Sequence, residues 1–198
     1  TSLNNIPMVI ARTGWSGELS YELYLQDRKK GDELFEIVHE AAKEFNGAVI
    51  APNTIRTIEG GLLSYQSDFG REHNPFTIGL DRLVDLDQGI DFIGKEALKK
   101  IKSEGISEKL VGVEIDGDPI QKVPENFWPV FDENHKKIGR LSRCFFSPRL
   151  KKNIGLAIID INFVKPGTPI VIESPKAHLN AQVHELPWFP AEKSTNLD

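Results

Sequence analysis

At 198 residues, with 39% hydrophobic and 27% charged content and a net charge of −5, the chain has the composition of a protein that buries one sizeable core or two small ones. The acidic balance argues against a general nucleic-acid binder, no apolar run approaches the ~20 residues of a membrane span, and TSLNNIPMVI lacks the regions of a secretory signal, so a cytoplasmic setting is expected. The single cysteine, Cys144, excludes an internal disulfide, and His39, His73, His135, His178 and His184 show no ligand-like spacing, so no metal is expected.

The first residue is Thr1, which leaves room for a missing N-terminal portion. In RTGWSGELSYELYL, a two-residue period puts Leu19, Tyr21, Leu23 and Leu25 on one strand face and Ser20, Glu22 and Tyr24 on the other. A helix follows in GDELFEIVHEAAKEF, where Leu34, Val38, Ala41 and Phe45 form a stripe and Asp32 and Glu33 suit the first turn; Asn46-Gly47 ends it. After the apolar run AVIAP, a second helix starts with Asn53 or Thr54 as cap and carries Ile55, Ile58, Leu62 and Tyr65 on one side. Gly60 and Gly61 inside it each cost roughly 1 kcal/mol relative to Ala, so a close backbone, a tightly packed helix or a flat ligand is expected there. YQSDFGREHNPF reads as a loop, LDRLVDLD as a strand, and FIGKEALKKIKSEG as a short helix that packs Phe92, Leu98 and Ile101 and stops at Gly105.

Beyond Gly105 the texture changes to short runs separated by turns: KLVGVEI, WPVFD, KKIGRLS, IGLAIID, TPIVIE and AQVHEL. Such spacing predicts a small antiparallel barrel or sandwich. The fold class is therefore α+β: a partial α+β domain over residues 1–105, then a small antiparallel β-barrel domain over 106–198.

Glu22 is the first candidate for chemistry. A polar residue on the outer side of a half-buried strand is ordinarily just solvated. With Trp15 and Tyr24 beside it, however, the carboxylate forms one charged end of a slot with apolar walls. Such an end accepts two parallel N–H bonds from an amidine-like edge, of the kind a pterin ring presents. Gly14 and Gly17 flank Trp15 and allow close backbone approach to a ligand, or equally a tight turn before the strand.

Taken in order, ARTGWSGELSYELYL, IRTIEGGLLSYQSDF, NPFTIGLDRLVDLD, DFIGKEAL and FSPRLKKNIGLAII resemble the aminomethyltransferase family typified by the glycine-cleavage T-protein. In that family these segments form the later part of a longer chain, so the resemblance implies a C-terminal portion: the end of a folate-binding α+β region and a C-terminal barrel. The T-protein pattern has an Arg-Asp pair ahead of an R-L-E-A-G core. Here Asn53-Thr54 stands in place of the pair and the core reads IRTIEGG. Together with GWSG and LSYELY, these departures look more like the bacterial dimethylsulfoniopropionate demethylases.

By that resemblance Trp15, Glu22 and Tyr24 are folate-contacting residues, tetrahydrofolate is the methyl acceptor, and a small molecule is the methyl donor. The remaining catalytic groups lie in an absent N-terminal part of the same polypeptide, the isolated piece is inactive and a poor folate binder, and a homodimer stays open. A sulfonium methyl is already activated, because its departure leaves a neutral thioether. In-line positioning then supplies on the order of 7 to 11 kcal/mol, and an aromatic wall such as Trp15 adds about 0.5 to 2 kcal/mol of cation–π attraction. The rival enzyme reading is an aminomethyltransferase or amine demethylase forming methylene-tetrahydrofolate. Outside enzymes, the rivals are a non-catalytic folate-binding scaffold and a module that keeps only the fold.

Lesser candidates have structural readings at least as good. Tyr65 sits on the apolar helical stripe, while Asp68 falls in the same family stretch. Arg56 suits a substrate carboxylate or an ion pair with Glu59. Arg12 braces a turn, and Arg149, Lys151 and Lys152 attract an acidic folate tail or only solvate a loop. RLSRCFFSPRLKK gathers five of the 24 basic residues, the usual sign of a solvated surface. His39 has no assigned role, and Cys144 reads as a small buried hydrophobe.

Overall fold

The computed structural model describes residues 1–15, 17–51 and 53–189. Among them no helix is long and apolar enough to cross a membrane. The chain divides into two compact units, one built on Thr1–Thr54 and one on Ile55–Phe189.

In the first unit, β1 (Ser2–Leu3) and β2 (Ile6–Ala11) form a hairpin through Asn4-Asn5. Both asparagines have positive φ, 46° and 62°, as a two-residue turn matched to strand twist requires. β3 (Glu22–Leu25) pairs antiparallel with β2, placing Val9 opposite Tyr24 and Met8 opposite Leu25. One side of this sheet packs Ile6 and Met8 under Leu34 and Ile37 of α1 (Gly31–Lys43). α1 closes as the composition predicts: Asn46 has φ 55°, and the Gly47 amide reaches back to Ala42 O at 2.8 Å. Two expectations are corrected. β2 has no counterpart in the sequence reading, and β3 starts only at Glu22, so Leu19 and Tyr21 lie outside it and are exposed.

In the second unit, α2 (Thr54–Glu59) is shorter than its apolar stripe suggests. It ends in a Schellman closure: Leu62 N donates to Thr57 O at 2.8 Å, Gly61 N donates to Ile58 O at 3.0 Å, and Gly61 has φ 63°. The two glycines thus stop a helix rather than interrupt one. LDRLVDLD forms a 3-10 turn at Asp81–Leu83 instead of the expected strand. α3 (Lys95–Glu104) matches its prediction and stops at Gly105.

The six predicted β runs are present as β4 (Glu108–Ile115), β5 (Trp128–Phe131), β6 (Lys137–Ser147), β7 (Lys152–Asp160), β8 (Pro169–Glu173) and β9 (His178–His184). They close into an antiparallel barrel in the order β4-β7-β6-β5-β8-β9. Val113, Val130, Leu141, Ile159 and Ile172 are among the residues filling its interior. β7 is apolar on both faces. Ala157 and Ile159 point into the barrel, whereas Ile154 and Leu156 pack outward against Ile58, Leu186 and Trp188. That double burial explains its unbroken IGLAII run.

Candidate functional site

The predicted ligand-contacting residues all fall in the first unit. Glu22 and Tyr24 share one face of β3, across from Ala11 and Val9 of β2. The Glu22 carboxylate is exposed and accepts a hydrogen bond from the Thr13 hydroxyl. Trp15 lies in the connection between β2 and β3, with 63% of its surface exposed, and Tyr24 is 53% exposed. Ser20 Oγ donates to Thr13 O at 3.2 Å and closes this connection on itself. A Cβ at Gly14 would stand 1.7 Å from Ser20 Oγ and 2.9 Å from Ser20 Cβ, so any larger residue there displaces the Ser20 side chain. The arrangement offers an oriented carboxylate with one oxygen engaged by a neutral hydroxyl, on the same strand face as the exposed Tyr24 ring. Its remaining acceptor positions suit a ligand that donates paired N–H groups.

A second constellation, which sequence reading resolved only in part, lies within the second unit. Asp68 is wholly buried and accepts from Arg143 at both oxygens, Nε to Oδ1 at 2.8 Å and Nη2 to Oδ2 at 2.6 Å. Ser142 Oγ and the Ser64 amide complete its shell at 2.8 and 2.7 Å. Arg143 also donates to Thr57 Oγ1 at 3.0 Å and to Leu62 O at 2.9 Å. One guanidinium therefore ties α2, its closing turn and the 64–69 loop to β6. A β-bulge between Leu141 and Arg143 makes this possible by turning Ser142 and Arg143 outward together while Leu141 and Cys144 stay inside. The three-residue spacing of Leu141 and Cys144 within a strand was the signal for that bulge.

Glu59, 2% exposed, anchors a neighbouring group. Its Oε1 accepts from Ser147 Oγ at 2.6 Å, while Oε2 faces Arg56 at 3.3 Å and Arg149 at 3.7 Å. Arg56 thus takes the ion-pair reading. Two other basic residues of RLSRCFFSPRLKK likewise meet acidic partners: Arg140 faces Glu72 at 3.6 Å and Lys152 meets Glu114 at 2.6 Å. Burial and bonds oppose each other at Glu114; hydrogen bonds from Lys152 and Gln182 outweigh desolvation and hold its carboxyl below the ordinary range. Tyr65 corrects an expectation, since it lies past the end of α2, exposed, with its ring edge against Phe69 at 5.7 Å. Cys144 faces the barrel interior, and burial pushes its thiol up to about 12.

His39 stacks on Phe35 at 5.5 Å and, with Glu36 and Glu40, sets three potential ligand atoms within 4.8 Å on α1. Glu40 is already bonded to Lys43, which draws its carboxyl below the usual range.

A small α-and-β unit followed by a closed six-stranded antiparallel barrel defines a two-part α+β protein. The GCVT N-terminal domain family matches residues 1–88, and the glycine cleavage T-protein C-terminal barrel domain family matches residues 108–190; the chain belongs to the aminomethyltransferase (T-protein) family. It is 35% identical over 196 residues to an aminomethyltransferase of Geobacillus sp. (strain WCH70), covering 97% of this chain and 52% of that protein. It is 28% identical over 189 residues to the dimethylsulfoniopropionate demethylase DmdA of Ruegeria pomeroyi, covering 94% and 50%. The crystal structure of glycine cleavage system aminomethyltransferase T from Bartonella henselae superimposes with a TM-score of 0.78 at 20% identity, over 92% of this chain and 50% of that one. The chain spans about half the length of the relatives it matches.

Proposed function

We propose that this chain forms part of a tetrahydrofolate-dependent one-carbon transferase of the aminomethyltransferase type, yielding methylene-tetrahydrofolate. The observation that carries the ligand assignment is the Glu22 carboxylate, fixed by the Thr13 hydroxyl on the same strand face as Tyr24. Glu22 would hold the pterin edge through paired N–H bonds, with Trp15 and Tyr24 as its walls. These residues fit the group, because Glu22 engages a neutral partner in this bond and keeps acceptor capacity on its other oxygen. Bound tetrahydrofolate supplies the nitrogen that takes up the one-carbon unit. The chain's own contribution is to bind and orient that ring, in a cytoplasmic setting.

Aminomethyltransferase takes precedence over sulfonium demethylase because relatives bearing the former name are 32–38% identical against 28% for DmdA. The demethylase remains a second reading on one specific observation: the exposed Trp15 ring is available to a sulfonium cation. Both readings have a small-molecule one-carbon donor as partner. The deciding assay presents the complete enzyme and tetrahydrofolate with dimethylsulfoniopropionate, sarcosine and the aminomethyl intermediate of glycine cleavage. Methylene-tetrahydrofolate is the expected product; 5-methyltetrahydrofolate from the sulfonium would reverse the order.

The ligand assignment has its own check. Glu22→Ala should cost about 1 to 3 kcal/mol of tetrahydrofolate affinity by calorimetry on the complete enzyme, because pterin donors are left unpaired. An unchanged affinity would remove Glu22 from the site.

A further inference from the structure

We infer that His73 is a proton-operated latch on the turn at residues 70–73: a second proton on its ring releases the Gly70 amide, and the turn opens while the segments on either side stay fixed. The inference does not depend on the folate assignment.

The first support is the way the ring is held. The His73 side chain is 2% exposed, and the proposed function makes no use of it. Its Nδ1 accepts a hydrogen bond from the Gly70 amide at 3.0 Å, while the His73 amide donates back to Gly70 O at 3.2 Å. A ring nitrogen that accepts carries no proton, so the neutral ring bears its hydrogen on Nε2. The doubly protonated ring is a donor at both nitrogens and has no lone pair left for Gly70.

The second support is the set of charges that faces the ring. Glu72, in the turn itself, places Oε1 3.3 Å from Nδ1. Glu108, at the start of β4, places Oε1 3.7 Å from Nε2. Arg140 of β6 brings Nη2 to 3.4 Å from Nε2 and is itself 3.6 Å from Glu72. Burial and Arg140 oppose a second proton, and the two carboxylates favour it. Glu72 lies on the Nδ1 side, so it accepts from the cationic ring where Gly70 had donated to the neutral one.

The third support is what cannot move. Upstream, Asp68 is clamped by Arg143 through both of its oxygens. Downstream, Asn74 Oδ1 accepts from the Phe76 and Thr77 amides at 3.0 and 3.1 Å, and Thr77 O accepts from Leu110 N of β4 at 2.7 Å. The turn spans the gap between these anchors, which confines the change to it. Protonation of one buried ring therefore acts on a short two-state element.

The test follows the backbone amides and the His73 ring nitrogens of the full 198-residue chain by NMR from about pH 8 to about pH 5. The neutral ring is expected as the Nε2–H tautomer. As it titrates, the Gly70 amide should shift with the same midpoint and lose about tenfold or more of its exchange protection, whereas the Ser64 and Leu110 amides keep theirs. His73→Asn retains an acceptor in place of Nδ1 and cannot titrate, so its Gly70 amide should not respond to pH. If that variant fails to fold, Glu72→Gln takes its place: it removes the partner of the second proton and should lower the midpoint by roughly half a pH unit.

Five results would overturn the inference: an Nδ1–H tautomer at neutral pH, a titrating ring with an unmoved Gly70 amide, a loss of protection that reaches Ser64 and Leu110, an unchanged midpoint in Glu72→Gln, or unfolding of the barrel before the ring titrates.

Discussion

Asp68 and Arg143 form a buried ion pair whose value lies in what its loss would expose. Removing the carboxylate in Asp68→Ala strands a guanidinium that has only neutral acceptors left, at Thr57 and Leu62. The second unit should lose about 3 to 5 kcal/mol, measured as a lower urea midpoint. Tyr65→Ala, on the same loop but exposed, should cost far less. Cys144 gives an opposite kind of prediction. Its thiol, raised to about 12 by burial, should resist alkylation at pH 8 in the native barrel and react only on unfolding. Glu114 predicts a pH dependence. Its folded pKa lies below the ordinary 4.5, so its contribution is present above that value and is lost as pH falls through the lower folded pKa. Glu114→Gln should flatten that part of the acid-denaturation profile of the barrel.

At the scale of elements, the glycines and bulges decide where side chains point. Gly61 occupies the left-handed closing position of α2, so Gly61→Ala should destabilise by about 1 to 2 kcal/mol from backbone strain alone. Its new Cβ would meet Leu186 and Pro187 only at ordinary contact distances of 3.5 to 3.6 Å, so thermal unfolding should show that strain and no added clash. The periodic apolar pattern revealed that a helix starts near Thr54, but it ran past the true end because Leu62 continues the stripe after the backbone has turned. LDRLVDLD misled for a related reason: its apolar residues suggested a strand, yet Asp81–Leu83 form a 3-10 turn whose three residues are all exposed. β6 shows the converse. Its bulge breaks the two-residue period, and the strand extends through RCFFS, which sequence reading had grouped with a basic surface stretch.

At the scale of the molecule, the barrel carries most of the buried hydrophobic residues and the first unit few. The lone chain should therefore show low exchange protection in residues 1–54 and high protection in β4 to β9, by hydrogen exchange with mass-spectrometric readout. Uniform protection would contradict that unequal division of core. The same inequality gives the predicted poor folate binding of this chain a physical basis: Glu22, Trp15 and Tyr24 are presented on an open surface, whereas tight ligand sites bury most of their ligand.

The sequence by itself determined the class of fold, the six barrel strands, α1 and α3, and the family, because hydrophobic period and turn residues are local signals that survive without neighbours. It also picked out Glu22 and Tyr24 as residues sharing one strand face, since alternation along a strand depends only on backbone geometry. Only the tertiary structure decided that Arg143 reaches Asp68 across 75 positions of sequence and that Ser147 meets Glu59 across 88. Those partners are chosen by barrel closure and by one bulge, and no local pattern encodes which distant carboxylate a strand will face.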